Sequence, residues 1–188
     1  MSRQPCGTAW ALGHLLVLYT QVDQFIMEAC AERVASAPDA TAKAGLVKQV
    51  GDEQRHVNIQ KQWIQEFGVD PAPLIDAQSL AQLHAHFRQL DWTDFLVDLY
   101  LVIEALGSQA VEQVVPLADP GTRESLRVPL QDELDHIAFG LSELRKALEG
   151  MDERSRKARL DAIPARIEAV LEMLAGFDLP VLVYSTAG

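Results

Sequence analysis

The chain has 188 residues, enough for one domain with a sizeable core, and 48% of them are hydrophobic against 23% charged, as in ordinary globular proteins. A formal charge of −11, a pI near 4.8 and only 16 Lys and Arg argue against binding a phosphate backbone, which needs clustered cations. No nucleic acid partner is expected. The two cysteines, Cys6 and Cys30, form no Cys-x-x-Cys pair and no disulfide framework, which fits a reducing cytoplasm.

No basic segment followed by a cleavable apolar run opens the chain. The longest apolar run, "AWALGHLLVLY", is interrupted by His14 and is too short to cross a bilayer. A cytoplasmic protein without a membrane segment is expected. Residues 8–36 then carry Leu12, Leu15, Tyr19, Val22, Phe25, Ile26 and Ala29 at the three-and-four spacing of a buried helical stripe. "SAPDAT" at 36–41 supplies a proline and a capping Asp39 or Thr41. A second helix runs to Phe67, with Leu46, Val50, Val57, Ile59, Trp63 and Ile64 on its apolar face, and Gly68 stops it before the Pro-rich "VDPAPLIDAQ".

Residues 77–91 read as a short helix within a long connection. A third long helix spans 92–115 and "PLADPGT" at 116–122 makes a turn. A fourth helix covers 123–148 and Gly150 breaks it; a fifth, 152–175, precedes the apolar tail "LPVLVYS". No run alternates as a strand would. The expected architecture is all-α and a single domain over 1–188. Two antiparallel hairpins, 8–67 and 92–149, are joined by one long crossover into a four-helix bundle, and 150–188 adds the C-terminal helix and tail.

Two segments share one frame: Asp52-Glu53-Gln54-Arg55-His56 and Asp132-Glu133-Leu134-Asp135-His136. Each falls near the middle of the second helix of a hairpin. Positions three apart share a helix face, so Glu53 with His56, and Glu133 with His136, project together toward the bundle axis. A metal site there wants one further carboxylate from the first helix of each hairpin. Residues at equal height in an antiparallel hairpin lie about equally far from the turn, which selects Glu28 opposite Glu53 and Glu104 opposite Glu133. Glu104 also lies in the apolar run "LYLVIEALGS", where an unpaired carboxylate is costly to bury.

The expected ligands are therefore Glu28, Glu53, His56, Glu104, Glu133 and His136. Four carboxylates and two imidazoles suit a pair of iron ions, with manganese as the alternative. Four glutamates nearly neutralise two divalent cations and would repel one another without them. Asp52 and Asp132 are expected to accept the other ring N–H of the ligand histidines. Tyr100, one turn before Glu104, is expected to hydrogen-bond a ligand or hold a radical, or else to be a buried tyrosine with an ordinary hydrogen-bond partner.

These residues resemble the ferritin-like di-iron carboxylate superfamily, whose members include bacterioferritins, rubrerythrins, the ribonucleotide reductase small subunit, bacterial multicomponent monooxygenases, acyl-carrier-protein desaturases and aldehyde-deformylating oxygenases. The resemblance covers about residues 8–149. "DEQRH" is similar to the Asp-Glu-x-Arg-His of the hydroxylases and desaturases, in which the Arg pairs with carboxylates behind the ligands. The second copy departs from that pattern, with Asp135 where the Arg would stand.

The resemblance implies a di-iron oxidase or oxygenase that activates O2 and acts on a small organic substrate, with the six ligands catalytic through the metals and an electron-donor protein for repeated turnover. It also leaves room for a homodimer. The alternative is a ferroxidase or iron-storage protein. The absence of a Cys-x-x-Cys pair argues against a rubrerythrin, and the 68–91 connection and 150–188 extension exceed what a storage subunit needs. Gly107 and Gly140 leave either space for substrate or room for close helix packing. Phe25, Trp63, Tyr100, Phe139 and Leu141 either line a pocket or form plain core. His84 and His86 have no carboxylate at ligand spacing and read as surface, and the basic run 154–159 reads as a solvated face.

Overall fold

A computed structural model of the chain describes residues 7–114 and 120–177. Cys6, the apolar tail and part of the turn expected at 116–122 fall outside them. The described residues are helical, without strands, as expected: α1 (Gly7–Val34), α2 (Ala40–Phe67), α3 (Ala77–Arg88), α4 (Trp92–Leu96), a π-helical segment (Val97–Glu104), α5 (Ala105–Val114), α6 (Pro120–Glu149) and α7 (Glu153–Ala175). No described helix is long and apolar enough to cross a membrane.

Aspartates start four of these helices by occupying orphan backbone donors. Asp39 accepts from Ala42 N at 2.8 Å, Asp76 from Gln78 N, Asp91 from Asp94 N, and Asp152 from Ser155 N. Gly68 ends α2 at φ 64°, the left-handed conformation that favours glycine. α1 and α2 form the first hairpin. The second is α6 against the run α4, π segment and α5, and α2 also packs on α6. α3, in the crossover, lies across α1 and buries Leu83 and Phe87 with Phe25, Phe95 and Tyr100 in the main core.

The π segment is the principal departure from the expected third helix. The run is helical from Trp92 as expected, but Val97–Glu104 hydrogen-bonds in the wider π pattern, which is frequent at functional sites. All its residues except Leu101 are buried, Asp98, Tyr100 and Glu104 completely. Asp98 holds its surroundings by charge. Arg166 of α7 donates to both Asp98 oxygens at 2.5 and 2.7 Å, and His86 of α3 lies 2.6 Å from Oδ2. Arg159 pairs with Asp91 and Asp94, each at 2.5 Å.

Two expectations change here. His86 has a buried carboxylate partner and His84 lies 3.3 Å from Glu28, because both acids come from other helices and no local spacing reveals them. Arg159, within the basic run read as solvated, ties α7 to α4.

Gly140 decides between its two readings. A Cβ there would overlap the Tyr100 ring, so the glycine lets Tyr100 press against α6 and leaves no space for a substrate. Gly140→Ala is expected to destabilise the fold by about 1–3 kcal/mol through overpacking. Thermal melting checks this; an unchanged melting temperature would mean that the ring yields freely.

Candidate metal centre

The centre is built on one stripe of α2. Gln49, Glu53, His56 and Gln60 recur at the four-three-four spacing of a single helix face, and all four are buried. Buried polar groups need partners, and this stripe finds them on three neighbouring helices. Gln60 Nε2 donates to Asp23 Oδ2 of α1 at 2.5 Å, and Thr20 Oγ1 donates to Gln60 Oε1 at 3.0 Å. At the other end Gln49 Nε2 donates to Glu104 Oε1, and Tyr100 donates its hydroxyl to Gln49 Oε1 at 2.6 Å.

Glu53 is the middle of the cluster and is fully buried. Its Oε2 lies 3.2 Å from His56 Nδ1 and its Oε1 lies 3.2 Å from His136 Nδ1. His136 Nδ1 is also 3.6 Å from Glu104 Oε1, and His56 Nδ1 is 3.8 Å from Glu133 Oε1. Two groups of possible metal ligands follow, Asp23–Glu53–His56 and Glu53–Glu104–His136, each with its ligand atoms within 4.8 Å of one another. Glu53 belongs to both. Glu133 lies close enough to Glu104 for the two carboxyl charges to act on each other.

The two aspartates act across the helix pair. His56 Nε2 is 3.1 Å from Asp132 Oδ2 on α6, and His136 Nε2 is 3.2 Å from Asp52 Oδ2 on α2. Each motif's aspartate thus supports the other motif's histidine. A ring that gives its Nε2 proton to an aspartate keeps its Nδ1 lone pair for the centre.

Arg55 lies between the two aspartates, donating to Asp132 Oδ2 at 2.6 Å and Asp52 Oδ1 at 3.1 Å, and Lys48 adds a contact to Asp52 at 2.6 Å. One arginine therefore serves both halves, so the second motif needs none. Asp135, at the corresponding position, is exposed and meets Gln131 at 3.3 Å. Arg55→Leu is expected to weaken metal binding about 10–100-fold, as removal of such supporting groups commonly does. A competition titration against a chelator checks it; unaltered affinity would mean that the aspartates hold without the arginine.

Protonation reports the same crowding. Burial pushes the Asp23 carboxyl well up, helped by the charges of Glu53 and Glu133. Burial also raises Glu104 to about 8 and, with Glu104 beside it, lifts Glu133 well above the carboxylate range. For Glu53 burial acts upward too, but the imidazoles of His136 and His56 outweigh it and hold the carboxyl low. Burial would lower His56, yet the hydrogen bond and charge of Glu53, with Asp132 behind, carry it up to about 9. Burial opposes His136 in the same way, and Glu53, Glu133 and Asp52 together raise it. Without cations the cluster is held together by protons.

Of the residues expected from sequence, Glu53, His56, Glu104, Glu133 and His136 converge, with Asp52 and Asp132 behind the imidazoles and Tyr100 linked to Glu104 through Gln49. Glu28 does not converge. Its side chain is 58% exposed and points to His84, on the far side of α1. Asp23 takes the place given to it. Equal distance from the turn fixes a residue's height along a helix but not the direction it faces. The spacing Leu12, Leu16, Tyr19, Asp23, Ile26, Cys30 runs four-three-four-three-four, and that regularity marks Asp23 as inward-facing. Gln49 and Gln60 were legible in the same way, as polar residues at core positions of α2.

Three buried atoms make no hydrogen bond among the described residues, Glu53 Oε1, Glu104 Oε2 and His136 Nδ1, although the first and last stand 3.2 Å apart. They belong one each to the three members of the second ligand group. Orphaned atoms of this kind are costly unless something binds them, and carboxylate oxygens with imidazole nitrogen are the donors that iron and manganese take. The residues therefore fit a metal ion.

A helical bundle with a buried carboxylate–imidazole cluster on facing helices defines the ferritin-like class. The chain belongs to this class: the model of the family described as "Ferritin-like domain, actinomycetes" matches residues 13–170. No curated protein and no solved structure matches the chain.

Proposed function

We propose that the centre binds two metal ions, iron by its donor set with manganese as the alternative, and serves the O2-dependent oxidation of a small organic molecule. Glu53, shared between two ligand groups, is the observation that carries this reading. One ion would be held by Asp23, Glu53 and His56, the other by Glu53, Glu104 and His136, with Glu133 closing the ring between them. The metals would supply the redox chemistry that side chains lack.

The chain's own residues do the rest. The Asp132–His56 and Asp52–His136 pairs aim two Nδ1 atoms inward, Gln60 and Gln49 orient Asp23 and Glu104, and burial excludes water. An external electron donor is required for repeated turnover, and we assign the chemistry to the cytoplasm, where Fe(II) and thiols stay reduced.

Anaerobic reconstitution with Fe(II) tests the reading. Two irons per chain and O2 uptake on exposure to air are expected, and binding of far less than two would sink it. Size-exclusion chromatography of the same sample addresses the iron-storage alternative. A cage-sized particle filled with mineral iron would replace the oxygenase reading.

A further inference from the structure

Beside the cluster lies a cavity of about 240 Å³, between α1, α3, the π segment with α5, and α7. Its walls are hydrocarbon: Leu18 and Val22 of α1, Leu83 of α3, Ile103 next to Glu104, and Leu174 of α7. Among the described residues no Asp, Glu, Lys, Arg or His side chain lines it. The polar features are the Tyr19 side chain and the backbone at Gly107. Tyr19 lies one turn before Asp23 on the same face of α1, and its side chain lines the cavity.

We infer that this cavity binds a small uncharged, mainly hydrocarbon molecule, with one polar group placed at the Tyr19 hydroxyl beside the metal centre. Three features define the class. An ionised group would be left unpaired against these walls, which is costly. The volume falls below the roughly 300–1,000 Å³ of drug-sized sites, so the occupant is a medium-length chain or a small ring. The Tyr19 hydroxyl makes only a long 3.4 Å bond to Gly107 O. It is therefore a donor available to a ligand oxygen. The inference rests on the proposed function for what happens to the bound molecule, but not for the binding itself.

Gly107 offers the handle for a test, because a Cβ added there meets nothing within 4 Å and a side chain would grow into open space. The probe is 1-octanol, titrated calorimetrically into the metal-free full-length protein. Saturable binding at one molecule per chain is expected. Gly107→Leu is expected to weaken it at least ~10-fold with melting temperature and iron stoichiometry unchanged. Tyr19→Phe keeps the ring and is expected to cost about 5-fold for 1-octanol and nothing for toluene.

Absence of saturable binding to the wild type, or equal binding by Gly107→Leu, overturns the inference. So does octanol binding that appears only in Leu182→Asp, since the occupant would then be the chain's own apolar tail. Octanol binding by a wild-type protein that takes up no iron on reconstitution would sink the metal reading and leave the cavity standing. Iron binding without octanol binding would do the reverse.

Discussion

Glu53→Gln is expected to empty both halves of the proposed two-metal centre, whereas Asp23→Asn and His136→Ala are each expected to empty one. Glu53 is the only residue common to the two ligand groups, and its two oxygens face different imidazoles at 3.2 Å each. Glutamine preserves the volume but replaces one oxygen by an amide nitrogen with no lone pair to offer, and removes the negative charge between two cations. Iron content after anaerobic reconstitution should fall from two per chain toward none. Asp23→Asn should leave the Glu53–Glu104–His136 group and hold about one, and Glu28→Ala should hold two, because that side chain points to His84 at the surface. Full iron loading of Glu53→Gln, or loss of iron in Glu28→Ala, would show that the ligands are wrongly assigned.

The contrast between Glu28 and Asp23 shows which part of the site is written locally. Glu53-x-x-His56 and Glu133-x-x-His136 are visible because a helix brings positions three apart onto one face whatever surrounds it. The hairpins are visible because caps and glycines punctuate long periodic stretches, and Asp39 and Gly68 act where they were expected. The residue opposite a motif depends on how one helix is rotated against another. Only the whole pattern from Leu12 to Cys30 carries that information.

The π segment is less legible still. Val97–Glu104 is apolar nearly all round because α6 and α7 pack on it and α2 and α3 reach it through Gln49 and His86, and its one acid besides Glu104, Asp98, is held by Arg166 from the far end of the chain. No local spacing encodes that pair. Asp135 makes the converse point. The loss of an arginine from the second motif looks like a defect in sequence, but Arg55 reaches both aspartates, so the pseudo-symmetric site needs one cation rather than two.

The metal-free protein should lose stability as pH rises from about 6 to 9, opposite to the usual behaviour of an acidic chain leaving its acid-denaturation range. Stability falls with pH wherever the folded state binds more protons than the unfolded one. Here Glu104 titrates near 8 and His56 near 9 in the folded state, against ordinary values of 4.5 and 6.5, and Asp23, Glu133 and His136 move in the same direction. Each contributes stability that is complete below its unfolded value and gone once pH passes its folded value. Glu53, Asp52 and Asp132 have the opposite sign, but their contribution is lost only as pH falls through the carboxylate range, outside this window.

Each tenfold gain in proton affinity on folding is worth about 1.4 kcal/mol, so His56 alone accounts for roughly 3 kcal/mol, on the order of 10 °C in melting temperature for a chain of this size. Divalent cations compete with these protons, so loading the centre should release protons, tighten as pH rises and flatten the decline. Thermal melts in chelator across about pH 6–9.5, with Fe(II) titrations in two buffers of different ionisation heat, measure both. A metal-free melting temperature that climbs over that range, or metal uptake that releases no protons, would mean that the cluster does not hold its protons at neutral pH.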